Sequence, residues 1–255
     1  MSLIELKNIS KSFEQKKVLD RIDLSIEAGE AFLILGRSGA GKTVLLRHLI
    51  GLIHPDSGRV LIDGKDLNQL DEQELVQTRL KFGVVFQNSA LFDSLTVGEN
   101  VGFALIQHSA LTKAEILPKV HTALEMVGLE GIEELYPYEL SGGMRKRVAI
   151  ARAIIYRPKI IIYDEPTTGI DPISVDKIVH LIQDLHQRLS ITTLVVTHDL
   201  DVGLKIAQRV AFLLQGKIIF EGNKDDLQNP ERITDPRVVQ FIQGSSSGPI
   251  KEMEV

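Results

Sequence analysis

The stretch that decides the fold of this 255-residue chain is Ala31-Phe32-Leu33-Ile34-Leu35-Gly36-Arg37-Ser38-Gly39-Ala40-Gly41-Lys42-Thr43. Its first five residues are apolar and predict a strand buried on both faces, while the apolar run after Thr43 predicts a helix. The glycines between them let the backbone curl, so that successive N–H groups point at one anion. A strand, a glycine-rich loop and a helix in this order predict a phosphate-binding loop in an α/β fold.

Two side chains of the loop suit nucleotide phosphates. Lys42 is placed to reach the outer phosphates, and the hydroxyl of Thr43 is placed to bind Mg²⁺. The alternative is a glycine-rich turn that matches by chance, but the predicted strand and helix are the context that a phosphate-binding loop requires. We therefore predict that residues 36–43 bind a nucleotide.

The composition is that of an ordinary globular protein, with 44% hydrophobic residues and a formal net charge of -5. An acidic chain has no general attraction for nucleic acid, which is therefore not expected as a partner. The lack of cysteine excludes disulfides and agrees with a reducing compartment. Residues 1–7 do not resemble a signal peptide, and no apolar run approaches the ~18 residues of a membrane helix, so we expect the protein to stay in the cytoplasm.

Strand and helix patterns alternate along the chain, as a mostly parallel sheet with flanking helices requires. Core strands are predicted at 31–35, 81–86, 159–163 and 192–196. Three earlier strands, separated by turns, predict a small antiparallel sheet and lie at 3–9, 18–26 and 59–62. Near the end of the chain, Gln215-Gly216 is predicted to turn one strand into the next.

Helical patterns replace strand patterns in the middle of the chain, where Thr112 to Val127 has apolar residues at helical spacing. We predict one α/β domain with three parts: a nucleotide-binding core with the antiparallel β-subdomain (1–86 and 158–228), an inserted helical subdomain (87–157) and a C-terminal extension (229–255). Within the extension, the polar segment Gly244–Pro249 is predicted to be a mobile tail.

A second motif is the buried strand Ile160-Ile161-Ile162-Tyr163, which ends in Asp164 and Glu165. In phosphoryl transfer, an acidic residue after such a strand holds the metal, a role that fits Asp164. Glu165 can then polarise the attacking water as a general base. The alternative interpretation is a helix-capping pair or a solvated strand end.

A third motif is Leu140-Ser141-Gly142-Gly143-Met144, followed by a helical pattern. Ser141 is a good helix cap, and the N–H groups after it could bind a second anion or the γ-phosphate from its opposite side. Considered alone, the motif is also compatible with a capped helix and no ligand.

Together, the three motifs resemble the ATP-binding cassette (ABC) family, whose signature sequence is Leu-Ser-Gly-Gly, and the resemblance covers nearly the whole chain. It implies the cofactors ATP and Mg²⁺. It also implies a head-to-tail homodimer, in which ATP lies between Lys42 of one copy and the signature residues of the other, Ser141, Gly142 and Gly143. The nucleotide site is then shared between two copies.

Other positions match the family one by one. The resemblance implies that Gln87 senses the metal and the γ-phosphate, that His198 contacts the γ-phosphate and orients water, and that Asp171 communicates across the dimer. Each of these three could otherwise be a solvated polar residue at a strand end. Phe13 occupies the place of a ring that stacks on adenine, with a buried core phenylalanine as the alternative.

Two charged stretches resemble motifs of other protein classes. The run Arg145-Lys146-Arg147 could suggest a nucleic-acid patch, but we interpret it as a solvated helix face. The run Asn223-Lys224-Asp225-Asp226 matches a guanine-recognition motif of GTPases. The chain has no suitable Asp-x-x-Gly motif after a strand, so guanine specificity is not expected.

In this family, cassettes that act on DNA carry long coiled-coil insertions, and those that act on ribosomes usually carry two cassettes per chain. With one nucleotide site and no heptads, the resemblance implies an ATPase subunit that docks on a separate membrane permease. In the family, the segment after the glutamine contacts a cytoplasmic helix of the permease, and Ala90–Thr96 is that segment here. Leu91 and Phe92 would be its apolar contacts, and the alternative is that they form ordinary subdomain core.

Within the family, the chain is most similar to the Mla-type cassettes, which work with MCE-domain proteins to carry phospholipid between bacterial envelope membranes. The similarity rests on residues 91–101, on 143–147 and on 240–249, and on Thr168-Gly169-Ile170 before Asp171. It implies a place at the cytoplasmic face of the inner membrane, held by the permease. It also allows the tail from Phe241 to reach a second subunit, although a disordered end is the default expectation.

Two other functions are also compatible with these motifs. One is the ATPase subunit of an importer for a small polar solute. The other is a nucleotide-gated switch or assembly factor that moves no solute. Cargo, direction of transport and the identity of the permease are not encoded in any of these motifs.

Overall fold

The computed structural model describes residues 2–227 and 229–250. These residues form two compact units: the first holds the residues up to 70 and those from 196 onward, and the second holds residues 71–195. Gln228, which ends the predicted core, and residues 251–255 of the predicted extension lie outside the described residues. The finer division into core, helical subdomain and extension stays a prediction.

Within the described residues, the strands are β1 (Ser2–Phe13), β2 (Lys16–Glu27), β3 (Ala31–Leu35), β4 (Ser57–Ile62), β5 (Lys65–Asp66), β6 (Phe82–Val85), β7 (Ile160–Asp164), β8 (Thr192–Thr197), β9 (Arg209–Leu214) and β10 (Lys217–Asn223). The helices are α1 (Lys42–Leu49), α2 (Glu72–Arg79), α3 (Val97–His108), α4 (Lys113–Met126), α5 (Gly142–Ile154), α6 (Pro172–Leu189), α7 (Leu200–Ile206), α8 (Lys224–Leu227) and α9 (Pro236–Ile242). Short 3₁₀ turns lie at Leu67–Gln69, Pro137–Glu139 and Pro230–Arg232.

The first unit contains an antiparallel sheet with the strand order β2-β1-β4-β5. Along the second half of β2, buried Ile22, Leu24 and Ile26 alternate with exposed residues. Such alternation is expected when one face of a sheet packs on a core and the other faces water. The predicted antiparallel sheet is therefore confirmed, and β1 is longer than the predicted 3–9.

A second group of strands in the first unit has the order β10-β9-β3, in which β3 runs parallel to β9 and β10 runs antiparallel to it. All five residues of β3 are buried, as predicted from its unbroken apolar sequence. The turn between β9 and β10 uses Gln215 and Gly216, both with positive φ. A Cβ on Gly216 would lie 2.4 Å from the main-chain oxygen of Val18, so this turn position requires glycine.

In the second unit, β6 and β7 are parallel, and β8 follows on the other side of β7. Every residue of β7 is buried. Helix α5 packs closely on β6, where a Cβ on Gly83 would lie 2.4 Å from the main-chain oxygen of Ala153. The parallel strands with flanking helices confirm the predicted α/β class, a P-loop NTPase core with an antiparallel β-subdomain.

Local capping explains where the helices of the second unit begin. Capping boxes start α2, α3 and α4, and the one at α4 joins Thr112 to Glu115. Ser141 caps α5 and Asp171 caps α6 through their side-chain oxygens. Each cap satisfies a main-chain N–H that has no partner within its helix. Helix α4 confirms the helix predicted between Thr112 and Val127.

The end of the described chain folds back on α9. Gln240 is buried, and its Nε2 donates to the main-chain oxygen of Ser245 at 3.2 Å while its Oε1 accepts from Ile250 N at 2.6 Å. The ring of Phe241 packs on that of Phe212, with centroids 4.7 Å apart. The side-chain amide of Gln240 thus binds both sides of this turn, and the predicted mobility of 244–249 stays a prediction.

Candidate active site

The glycine-rich loop lies in the first unit between β3 and α1, as predicted. Gly39 and Gly41 have φ values of +76° and +107°, a backbone conformation that favours glycine. At Gly36, a Cβ would lie 2.4 Å from the main-chain oxygen of Leu213. The chain can therefore follow this path only with glycine at these positions.

Helix α1 begins at Lys42, and its N-cap, Gly41, has no side chain to accept a hydrogen bond from the first turn. The first turn also lacks acidic residues. Its main-chain N–H groups and the positive end of the helix dipole favour an anion at this point. Thr43, in the same turn, is exposed. The loop therefore has the backbone geometry that phosphate binding requires.

The ammonium group of Lys42 is folded over this loop. Its Nζ donates to the main-chain oxygens of Gly36 at 2.6 Å and Arg37 at 3.2 Å, and the side chain is 8% exposed. A flexible lysine held by two neutral carbonyl oxygens can exchange them for a phosphate, because a charged acceptor forms the stronger hydrogen bond.

Phe13 also lies in the first unit, at the end of β1. Its side chain is 45% exposed, and the Nζ of Lys11 lies 5.6 Å from the ring centroid. The alternative of a buried core phenylalanine is therefore wrong. An exposed aromatic face with a neighbouring cation remains suited to stacking on a planar base.

His198 directly follows β8 and is exposed. The preceding residue, Thr197, accepts a hydrogen bond through its main-chain oxygen from the N–H of Gly36 at 3.2 Å. Asp199 then caps α7. The structure thus places His198 one residue from the strand end that contacts the start of the glycine-rich loop.

The two predicted carboxylates lie in the second unit at the end of β7. Asp164 and Glu165 are 9% and 8% exposed. Glu165 has a φ of +49°, which is unusual for a residue with a Cβ, and its Oε2 accepts from the hydroxyl of Thr168 at 3.3 Å. The interpretation of a solvated strand end is therefore wrong.

Gln87 lies beside these carboxylates in the sheet order. Because β6 and β7 are parallel, with Val85 opposite Tyr163, Gln87 and Glu165 follow the two strands at the same edge. The Nζ of Lys146 donates to the main-chain oxygens of both residues. The structure therefore brings together two residues that the sequence places far apart.

The signature segment forms the first turn of α5 in the same unit. Ser141 is exposed, and its Oγ accepts from the N–H of Met144 at 3.2 Å. A Cβ on Gly143 would lie 3.0 Å from the Oγ of Ser174, and one on Gly142 would lie 3.4 Å from Ile170. The signature turn therefore packs on the chain that surrounds Asp171.

Asp171 caps α6 by accepting from the N–H of Ser174 at 3.0 Å. Hydrogen bonds from the side chain and backbone of Ser174 lower the pKa of this carboxyl. Asp171 is exposed, so its capping role leaves the rest of the carboxylate open to a partner.

The basic run after the signature differs from the prediction. Lys146 is only 4% exposed, and Arg147 donates to the main-chain oxygens of Val127 and Gly128, at 3.3 and 3.0 Å. The prediction of a solvated helix face was therefore wrong. Lys146 precedes buried Ile150 by four residues and so lies on the apolar face of α5, but the oxygens that accept from it are distant in the sequence.

Sequence reasoning also missed Arg152. Its guanidinium donates to the main-chain oxygens of Ser89 and Ala90, both at 2.7 Å, and burial lowers its pKa. Ser89 and Ala90 have φ values of +62° and +47°. Arg152 therefore stabilises an unusual backbone turn just after Gln87.

The predicted Mg²⁺ donors are the hydroxyl of Thr43, the amide oxygen of Gln87 and the carboxylate of Asp164. All three are hard oxygen donors, the kind that Mg²⁺ prefers. Among the residues that the structure describes, no group of three or more His, Cys, Asp or Glu side chains could hold a metal.

Comparison with known proteins gives a consistent result. The sequence profile of the family described as ABC transporter matches residues 19–168. The chain is 40% identical over 250 residues to the intermembrane phospholipid transport system ATP-binding protein MlaF of Haemophilus influenzae, a match that covers 98% of this chain and 94% of the relative.

Two further proteins are similar to this chain, and their names do not mention phospholipid. The probable ribonucleotide transport ATP-binding protein mkl of Mycobacterium leprae is 38% identical over 247 residues, covering 97% of this chain and 70% of the relative. The dimeric structure of a post-hydrolysis state of the ATP-binding cassette MJ0796 bound to ADP and Pi is 36% identical, with a TM-score of 0.79. That match covers 87% of this chain and 98% of the solved chain.

Proposed function

This chain belongs to the ABC transporter family as a subunit that binds and hydrolyses ATP, and from that premise we propose that it powers a separate permease that moves phospholipid between envelope membranes. The observation that carries the proposal is the similarity to MlaF of Haemophilus influenzae, which extends over 98% of this chain and 94% of the relative. The similarity therefore also includes segments outside the nucleotide site.

In the proposed site, residues 36–43 hold the phosphates of ATP through main-chain N–H groups. Lys42 turns from the carbonyl oxygens of its own loop to the β- and γ-phosphates. Phe13 stacks on the adenine ring, which its 45% exposure permits. These residues all belong to the first unit.

The donors for Mg²⁺ are Thr43, Gln87 and Asp164. When bound, the ion neutralises the negative charge that builds up on the β- and γ-phosphates during phosphoryl transfer.

Glu165 acts as the general base that accepts a proton from the attacking water, and His198 contacts the γ-phosphate and orients that water. General bases typically contribute about 10²–10⁴-fold to a rate, so Glu165 is the residue on which hydrolysis depends most strongly after binding.

The complete site requires two copies of the chain. The signature residues of one copy contact the ATP held by Lys42 of the other; they are Ser141, Gly142 and Gly143. Asp171 transmits the nucleotide state of one site to the second site of the dimer. The dimeric structure of the similar cassette MJ0796 supports this arrangement. The contact between the signature turn and Ser174 provides a physical link between Asp171 and the signature within one copy.

The proposed permease contact is the segment Ala90–Thr96. Phe92 is 44% exposed, and its ring packs on that of Phe103 at 4.8 Å, so an aromatic surface is both supported and open. Among the described residues, every helix is too short or too polar to span a bilayer. From the similarity to MlaF, we propose that the permease holds the protein at the cytoplasmic face of the inner membrane.

The test is copurification from native membranes with an affinity tag on this chain, followed by mass spectrometry of bound proteins and lipids. A permease, an MCE-domain protein and phospholipid are expected. Phe92→Ala should lower permease recovery, whereas Leu117→Ala, which removes another exposed apolar side chain in the same unit, should not. Recovery of a permease without lipid or an MCE-domain protein would contradict the lipid proposal.

A second cargo is favoured by one observation, the similarity to a relative named for ribonucleotide transport. In liposomes that contain the purified complex, ATP-dependent movement of a labelled phospholipid supports the first proposal. ATP-dependent uptake of a labelled ribonucleotide, with no movement of phospholipid, supports a transporter for small polar solutes. Recovery of this chain without any permease would instead favour a switch or assembly factor.

A further inference from the structure

Helix α5 carries a buried cation close to the signature turn. Lys146 lies five residues after Ser141, and it is 4% exposed. A charged group is taken out of water only at a large cost in free energy unless hydrogen bonds replace those to water. The hydrogen-bond acceptors of Lys146 should therefore indicate which part of the structure the buried ammonium stabilises.

The partners of Lys146 are two main-chain oxygens. Its Nζ donates to the oxygen of Gln87 and, at 3.3 Å, to the oxygen of Glu165. Gln87 and Glu165 are the two residues of this unit to which we assign work on the γ-phosphate and the attacking water. One ammonium group thus joins the main chains of both residues to α5.

The main chain has an unusual conformation at Glu165 and two residues after Gln87. Glu165 has a φ of +49°, and its oxygen also accepts from the N–H of Thr168 at 3.3 Å. After Gln87, the left-handed residues Ser89 and Ala90 are held by Arg152. Such conformations persist only where the surroundings stabilise them. Two cations of α5 provide that stabilisation.

The electrostatics agree with a positioning role. Burial lowers the pKa of Lys146, while the nearby carboxylates of Asp164 and Glu165 raise it, although by less. The ammonium therefore neutralises part of the negative charge at the end of β7.

We propose that Lys146 is a positioning residue for ATP hydrolysis, which holds the main chains of Gln87 and Glu165 in a fixed relation to the helix that carries the signature turn. This inference rests on the proposed roles of Gln87 and Glu165. Lys146 acts through these two residues and does not contact ATP. Its loss should therefore reduce the rate of the chemical step much more than the affinity for nucleotide.

The first test compares Lys146→Met with Arg147→Met. Both replace a partly or fully buried cation of α5 by a neutral side chain, but Arg147 contacts the end of α4 and not the catalytic segments. A displacement of about 1 Å at a reacting group can reduce a rate by about 10²-fold. We expect kcat of Lys146→Met to fall at least tenfold, with the Kd for ATP changed less than about threefold.

Arg147→Met should keep kcat within about threefold of wild type, because it leaves both catalytic segments in place. A wild-type kcat for Lys146→Met would overturn the proposal. Equal losses of kcat in both variants, accompanied by equal losses of thermal stability, would also overturn it, since the effect would then be general damage to α5.

A rescue experiment distinguishes the effect of the ammonium group from the effect of filling the space that the lysine side chain occupies. The chain has no cysteine, so Lys146→Cys introduces a single thiol. Alkylation in denaturant with 2-bromoethylamine, followed by refolding, restores an ammonium at almost the length of lysine; alkylation with bromoethane gives a neutral control. The aminoethyl form should exceed the ethyl form in kcat at least tenfold, and equal values would contradict the proposal.

A second rescue uses an amino-acid substitution in place of alkylation and does not require refolding. Lys146→Arg keeps the charge and several donors, so its kcat should lie above that of Lys146→Met. If it does not, and if aminoethylation also fails to restore the rate, then the ammonium has no positioning role.

Glu165→Gln distinguishes failure of this inference from failure of the proposed site. If Glu165→Gln loses turnover while Lys146→Met keeps it, only the role of Lys146 is rejected. If Glu165→Gln keeps full turnover, the assignment of the general base is rejected, and the inference that depends on it is rejected with it.

Discussion

Lys42 donates a hydrogen bond from its Nζ to the main-chain oxygen of Gly36, 2.6 Å away, within the same glycine-rich loop. The loop thus holds its own cation in place where a phosphate is proposed to bind. Because the carbonyl oxygen is a neutral acceptor, a phosphate oxygen can replace it with a gain in hydrogen-bond strength.

Lys42→Ala should therefore weaken the binding of ATP. Hydrogen bonds to charged groups contribute about 1.5–3 kcal/mol, which corresponds to a rise in Kd of roughly 10–100-fold. Isothermal calorimetry measures this directly. Lys7→Ala is the control, because Lys7 is exposed in the same unit and pairs with Glu5, outside the glycine-rich loop. An unchanged Kd in Lys42→Ala would rule out the phosphate role.

Glu165→Gln should bind ATP as wild type does and should turn it over about 10²-fold more slowly or worse, because an amide cannot accept the proton of the attacking water. With ATP present, the variant should accumulate as a dimer in size-exclusion chromatography. The exposed Glu125→Gln on α4 serves as the control and should keep full turnover. Retention of the wild-type rate by Glu165→Gln would eliminate Glu165 as the base.

Ser141→Ala tests the shared site. It removes the cap of α5, at a cost of about 1 kcal/mol in stability, and also removes a hydroxyl proposed to contact the ATP of the other copy. We expect hydrolysis to be nearly lost while an isolated subunit binds ATP normally. Thr112→Ala removes a comparable cap from α4 and should reduce stability by a similar amount without loss of hydrolysis.

Full activity of Ser141→Ala, or activity of a variant that remains monomeric at all concentrations, would refute the shared site. The two cap variants should be compared at the same fraction of folded protein, which thermal unfolding provides.

Asp20 should contribute to the pH dependence of stability. Hydrogen bonds from Lys17 at 2.5 Å and Lys217 at 3.2 Å lower its pKa from 3.8 to about 2. A carboxyl whose pKa is lower in the folded state stabilises the fold above its unfolded pKa, and this contribution is lost as the pH falls through the folded value. The stabilisation should therefore be complete above about pH 4 and should disappear towards about pH 2.

Asp20→Asn should be less stable than wild type at neutral pH, and the difference in the free energy of unfolding should shrink between about pH 4 and 2. Denaturant titrations at several pH values measure this difference. Added salt should also reduce it, because exposed ion pairs are screened. A difference that is independent of both pH and salt would exclude the ion pairs as its cause.

The site could be predicted from sequence where its geometry is local. Gly36 to Thr43 form a continuous loop, and the positive φ of Gly39 and Gly41 is a property of those residues themselves. The caps at Ser141 and Asp171 also act over three residues, so their position in the sequence nearly determines their geometry.

Other features depended on contacts that sequence patterns do not encode. The alternatives for Phe13 and for the carboxylates at the end of β7 could be separated only by exposure, which depends on what other parts of the chain cover. The same holds for 244–250, where a glycine- and serine-rich composition suggested mobility while the amide of Gln240 binds the segment to α9.

The sequence by itself determined the α/β class, the phosphate-binding loop, the order of the family motifs and the cap at Ser141, because these depend on residues within a few positions of one another. Only the tertiary structure decided that Lys146 is buried, since its acceptors are the oxygens of Gln87 and Glu165, 59 and 19 residues away in the chain. A run of three basic residues is normally solvated, because burial of a charge is unfavourable. Here two main-chain oxygens, which parallel strands bring to one edge of the sheet, accept hydrogen bonds from the ammonium and so offset the cost of its burial.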